Sequence, residues 1–250
     1  MSETVLDETW VRSFQPGPGK GVPLVCFPHA GGSASYFRPL SAASRSDLRV
    51  LALQYPGRQD RLRDRLLSTV DEYADEAFTA LEPLMDRPVA FFGHSMGAVI
   101  AFEVATRMKE RRGAAPVALF ASGRRAPSTH RDEKVHKGGD AALIAELDRL
   151  SGTDRRVLRD EDVLRMVLPS MRSDYRAVET YRHRPGPKLD CPVVVLAGED
   201  DPRVDMDEAK AWGDHTTGAF EVCTFPGGHF YLADQWEALV EVVSRRLDDI

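Results

Sequence analysis

Cysteine is scarce in this chain, with three residues in 250, at positions 26, 191 and 223. An odd count without close spacing excludes a disulfide framework and a cysteine-based zinc site. Each cysteine lies in or beside an apolar run, which predicts buried thiols in a reducing compartment. Long apolar stretches are also missing, and none approaches the roughly 18 residues that span a bilayer, so no membrane insertion is expected. There is no basic excess: 33 Lys and Arg face 39 Asp and Glu, interspersed, for a net charge of −6. That balance excludes a nucleic-acid partner. The opening MSETVLDETWVRSF has no basic start followed by an apolar core, so a cytoplasmic protein without a secretory leader is expected. No internal repeat or low-complexity tract occurs, and no metal site is expected.

What is present is an ordinary globular balance, 42% hydrophobic and 29% charged, enough to bury a sizeable core. Short apolar runs bounded by turn residues recur: VPLVCFP (22–28), RVLALQYP (49–56), PVAFFG (88–93), PVALFASG (116–123), CPVVVLAG (191–198) and FEVCTFPGG (220–228). Most are continuously apolar, as strands covered on both faces of a parallel sheet are. Helical spacing separates them. Residues 69–85 place Tyr73, Ala77, Ala80, Leu81 and Leu84 on one face behind an acidic first turn, residues 96–113 end on Gly113, and the tail repeats the pattern. Strands alternating with helices predict an α/β sandwich. One segment, 127–187, has no strand-like run but two helical patterns, at 140–152 and 160–183, the second expected to kink or divide at Pro169. Its twelve Lys and Arg nearly balance eleven Asp and Glu. The expected organisation is a core of residues 1–126 and 188–250 interrupted by a helical subdomain at 127–187.

The strand PVAFFG runs straight into Ser95, which Gly93 and Gly97 bracket in GHSMG. A serine at a strand-to-helix turn presents its hydroxyl above the sheet, in front of the free amides of the helix N-terminus. The glycines leave room where a β-carbon would collide. The plainer alternative is a helix-capping serine. An acid is expected at the end of CPVVVLAG, where EDDPRVD offers Glu199, Asp200, Asp201 and Asp205. Asp201, before rigid Pro202, is the expected acid and Asp200 the runner-up. The final strand ends PGGH, placing His229 on the same rim as the expected base, and the order Ser95, Asp201, His229 is that of a nucleophile-elbow triad. His94 is expected to turn away into packing. An oxyanion hole needs two N–H donors. Met96, after the nucleophile, is expected to supply one and Ala30, in CFPHAGGS, the other.

Taken in order, FPHAGGSASYF, LALQYPGRQDR, GHSMGA, LPSMRSDYRAVETY, LAGEDD and FPGGHFYL resemble the type II thioesterases of polyketide and nonribosomal peptide synthesis, over residue 20 to the C-terminus. The resemblance implies the α/β-hydrolase fold, with Ser95 as nucleophile, His229 as base, Asp201 as acid, Ala30 and Met96 as oxyanion donors, and 127–187 as a mobile lid. It implies hydrolysis of stalled or mis-primed acyl groups from the phosphopantetheine arm of acyl or peptidyl carrier proteins, without a further cofactor. Medium-chain thioesterases acting beside fatty acid synthases share the pattern. A carboxylester hydrolase or acyltransferase, and a scaffold kept only for binding, are the other readings. Met166, Leu168, Met171, Tyr175 and Tyr181 are candidates for a substrate channel or simply for helix packing. Arginines 155, 156, 159, 172 and 176 are candidates for meeting an acidic carrier or for a solvated face.

Overall fold

The computed structural model describes residues 6–14, 21–44, 48–150 and 160–248. The apolar runs become strands β2 (Val22–Phe27), β3 (Leu48–Leu53), β4 (Ala90–His94), β5 (Ala118–Ser122), β6 (Val193–Gly198) and β7 (Phe220–Phe225). A short β1 (Val11–Ser13), not anticipated from the sequence, completes a seven-stranded sheet in the order β1-β3-β2-β4-β5-β6-β7. β1 pairs antiparallel to β3, and every other pairing is parallel. Successive residues of a strand point to opposite faces, so the continuous apolar runs feed two cores at once. Val25, Phe27 and Phe91 join one cluster, while Leu24, Cys26 and Phe92 join the other.

Helices α2 (Val70–Leu81) and α3 (Met96–Arg112) cover the first face, and α1 (Arg38–Ala43) and α7 (Trp236–Asp248) cover the second. α2 starts at a capping box in which the Thr69 hydroxyl accepts from the Glu72 amide at 3.1 Å and the Glu72 carboxylate accepts from the Thr69 amide at 3.2 Å. α3 stops at Gly113, whose φ of 66° suits glycine. A five-residue helix, α6 (Met206–Lys210), follows β6. Together these elements form the α/β-hydrolase architecture.

Between β5 and β6 lie α4 (Asp140–Leu150) and α5 (Glu161–Thr180). α5 is not divided at Pro169 but runs through it. Proline cannot donate to the carbonyl four residues back, so one helical hydrogen bond is missing there, between two exposed residues, Arg165 and Pro169. Leu164, Leu168 and Tyr175 form a small cluster with Leu143 of α4, separate from both sheet cores. Ala177 and Val178, further along α5, join the main core instead. Cys26 and Cys191 are buried as expected, but Cys223 is half-buried because β7 is the sheet edge. Among the described residues no helix is long and apolar enough to cross a membrane.

Candidate active site

β4 ends at His94, and α3 begins at Met96, leaving Ser95 alone to reverse the chain. Its φ of 54° and ψ of −116° lie where side chains rarely go. Two contacts hold it there: its amide donates to the Ser122 carbonyl at 2.8 Å, and its carbonyl accepts from the Ala98 amide at 3.1 Å. The bracketing glycines allow the close approach. A β-carbon on Gly93 would lie 2.3 Å from the Gly97 carbonyl oxygen, and one on Gly97 would lie 2.0 Å from the Phe27 carbonyl oxygen.

The structure brings Ser95, Asp201 and His229 together. His229 Nε2 lies 2.9 Å from Ser95 Oγ, and His229 Nδ1 lies 2.9 and 3.0 Å from the two Asp201 carboxylate oxygens. Asp201 is placed by the turn after β6, where its Oδ1 accepts from the Arg203 amide at 2.8 Å. Its side chain is fully buried, whereas Glu199, Asp200 and Asp205 are exposed. An ionised carboxylate only accepts, so Nδ1 of the neutral imidazole carries the hydrogen and Nε2 accepts from the Ser95 hydroxyl. The arrangement is a hydrogen-bonded chain in which Ser95 can pass a proton to His229 while the buried Asp201 carboxylate holds the imidazole.

His94 turns away from this path, with Nδ1 at 2.9 Å from Ser122 Oγ, which in turn lies 2.8 Å from the Tyr231 hydroxyl. Burial, reinforced by His229 and His29, keeps the His94 imidazole neutral far below its ordinary pKa. Met96 is buried at the first position of α3, and Ala30 is half-buried in the loop after β2.

That loop is held by a set of residues whose partnership local sequence rules do not reveal. Gly31, at φ 76°, donates its amide to Asp174 Oδ2 of α5 at 2.7 Å. Asp174 also accepts from the Tyr73 hydroxyl of α2 at 2.6 Å and pairs with the Arg58 guanidinium. Arg58 in turn donates to the Gly32 carbonyl at 3.2 Å and the Pro56 carbonyl at 2.7 Å. The visible signals were YPGR and RSDY, but nothing local ties positions 116 residues apart.

The five channel candidates separate in space. Met171 packs its methyl against the loop after β2, where a β-carbon on Gly31 would meet it at 2.5 Å. Leu168 and Tyr175 pack with α4, and Met166 is 47% exposed beside an outer groove with Leu62 and Leu66. The Tyr181 hydroxyl donates to Glu103 of α3 at 2.7 Å. Arg172 is tied to Asp140 at 2.6 Å and to backbone carbonyls before α4, and Arg176 is exposed. Arg155, Arg156 and Arg159 lie outside the described residues. Among the described residues no cluster of three His, Cys, Asp or Glu side chains is arranged to hold a metal ion.

Comparison with known proteins places this geometry. The thioesterase-domain family profile matches residues 22–247. Thioesterase PikA5 of Streptomyces venezuelae is 49% identical over 239 residues, which are 95% of this chain and 85% of that protein. The gramicidin S biosynthesis protein GrsT of Aneurinibacillus migulanus is 33% identical, over 90% of this chain and 88% of its own. Among solved structures, the type II thioesterase BorB from the borrelidin biosynthetic cluster superposes with a TM-score of 0.89 at 48% identity, covering 96% of this chain and 98% of BorB. With a profile spanning nearly its whole length and relatives close to half identical, the chain belongs to the thioesterase-domain family, among the type II thioesterases of polyketide and nonribosomal peptide biosynthesis.

Proposed function

We propose that the protein hydrolyses acyl thioesters carried on the phosphopantetheine arm of acyl or peptidyl carrier proteins, using Ser95, His229 and Asp201. The observation that carries this reading is the unbroken 2.9 Å contact from Ser95 Oγ to His229 Nε2, backed by the buried Asp201 carboxylate. As the Ser95 oxygen attacks the thioester carbonyl, His229 takes its proton, and Asp201 holds the tautomer and stabilises the imidazolium. The amides of Met96 and Ala30 receive the developing oxyanion. The carbon–sulfur bond then breaks and the thiolate takes the proton from His229. Water, deprotonated by the same imidazole, releases the acid and returns Ser95. No cofactor enters these steps.

The purpose we assign follows from the company the chain keeps, relatives named for gramicidin S, borrelidin and yersiniabactin NRPS/PKS biosynthesis: in such a pathway, removal of stalled acyl groups would restore the carrier. A cytoplasmic site of action suits that work. The segment 127–187 is the lid of this reading. Ser173, Asp174 and Tyr181 bond it to the core near the end of α5, and Glu146 of α4 pairs with Arg203 in the turn after β6.

A fluorophosphonate probe should label Ser95 in the parent protein and nothing in Ser95→Ala, whose turnover should fall by roughly 10⁴–10⁶. Acyl-carrier thioesters should be hydrolysed faster than simple esters. Faster turnover of simple esters would replace the editing role with that of a carboxylester hydrolase.

A further inference from the structure

The strand that neighbours the elbow ends in an unusual pair of charges. β5 leads through Gly123, at φ 58°, into Arg124 and Arg125. Both arginines are buried, at 8% and 2% exposure. Arg125 is balanced, its guanidinium lying 2.5 Å from Glu133. Arg124 is not: among the described residues no carboxylate pairs with it, no acceptor takes a hydrogen from its guanidinium, and its Nε is buried without a partner. Its backbone is nonetheless fixed, since the Trp212 indole donates to its carbonyl at 2.8 Å. Burial first, and then repulsion from Arg125, push the Arg124 guanidinium down to about 9. A desolvated cation without a partner is costly in the resting fold.

Arg124 lines a pocket of about 310 Å³ that also touches Val99, Arg125, His130, Arg182 and His183. No aspartate or glutamate lines it, in a chain whose net charge is −6. The larger pocket nearby, of about 590 Å³, is different, because Arg107 there is already matched to Asp71, Asp75 and Glu103. Two residues that line the smaller pocket stand close to the reaction centre along the chain. Val99 is one helical turn past Ser95, and Ser122, whose carbonyl holds the Ser95 amide, is two residues before Arg124. Two residues of chain span at most about 7 Å. A β-carbon on the intervening Gly123 would lie 3.5 Å from His229 Cε1. The carboxyl ends of parallel strands are where open α/β sheets seat ligands.

We infer that this pocket is an oxyanion subsite in which Arg124 binds a phosphate or carboxylate group borne by the substrate. The inference rests on the thioesterase reading, because that substrate offers two such groups: the phosphate of the phosphopantetheine arm, and a carboxylate where the acyl chain carries one. Either would supply the guanidinium with the acceptor it lacks. The positive lining also disfavours a basic acyl group.

Two pairs of substrates test it. Acyl-phosphopantetheine against the same acyl-pantetheine isolates the phosphate, and a carboxyacyl pantetheine against a neutral acyl of equal length isolates the carboxylate. In the parent protein one pair should show a kcat/KM ratio of about ten or more in favour of the anionic member, carried by KM. Arg124→Met, which keeps bulk without charge, should bring that ratio close to 1, and Arg124→Lys should leave part of it. Loss of the phosphate preference assigns the arm, and loss of the carboxylate preference assigns the acyl chain. A parent protein with no preference in either pair overturns the inference. So does an Arg124→Met variant that slows both members of each pair equally.

Calorimetric binding of phosphopantetheine and pantetheine to Ser95→Ala gives a readout independent of turnover and of the folding of the Arg124 variants. Tighter binding of the phosphorylated ligand agrees with an arm subsite, and equal binding removes that source. Failure of the parent to hydrolyse any thioester would instead defeat the functional reading itself.

Discussion

At the scale of single residues, the site is a strained serine kept in place by its neighbours' lack of side chains. Holding φ at 54° on a non-glycine residue costs on the order of 1–3 kcal/mol, tolerated where the surroundings over-determine it. Gly97→Ala tests how tightly they do. The added methyl would lie 2.0 Å from the Phe27 carbonyl oxygen, a backbone atom that no rotamer change can move aside. The variant should lose about 3 kcal/mol in urea unfolding and most of its turnover. A loss below about 0.5 kcal/mol would mean that α3 shifts freely over β2. Ser95 and His229 were legible in the sequence because each follows an apolar strand through a glycine-flanked turn. The choice of Asp201 over Asp200 was narrower, since both occupy one acidic loop. Burial separates them, and burial is a property of the assembled fold.

At the scale of elements, α5 does two jobs. Leu164, Leu168 and Tyr175 pack it with α4 in a small separate cluster, while Ser173, Asp174 and Ala177 tie the same helix into the core. Asp174 is the hinge between these roles, because the carboxylate that docks the helix also holds the Gly31 amide beside the expected oxyanion donor Ala30. Asp174→Asn leaves Arg58 buried without its counter-charge, at a cost of about 3 kcal/mol. The same change should lower kcat about tenfold, with KM little altered, since removing a full oxyanion donor costs about 10²–10³. Affinity for a boronic acid that forms a tetrahedral adduct with Ser95 should fall in step with kcat. If adduct affinity holds while stability drops, Asp174 serves packing alone. Most elements could be read from apolar periodicity. β1, α1 and α6 could not, because three, six and five residues are too few to show a period. The continuity of α5 through Pro169 also depended on tertiary context, since the helix is packed along its buried side on both sides of the proline.

At the scale of the whole molecule, the two cores and the order of the strands decide where each chemical group rides. Continuous apolar runs signalled a sheet covered on both faces, and the structure has that sheet. Which strand lies beside which is not written in periodicity, and the antiparallel edge β1 shows as much. β4 is fourth of seven, so Ser95 grows from the middle of the sheet. The imidazole follows β7, the last strand, which has one paired neighbour and only Phe225 buried. Edges open before centres. Deuterium should therefore replace β7 amide protons well before those of β4, and mild denaturant should extinguish turnover while far-ultraviolet dichroism stays native. Matching midpoints, with equal protection of the two strands, would refute this ordering. The Ser95 turn would outlive the seat of His229 as the protein frays, so a silenced molecule would still be largely folded and able to recover by re-zipping a single strand.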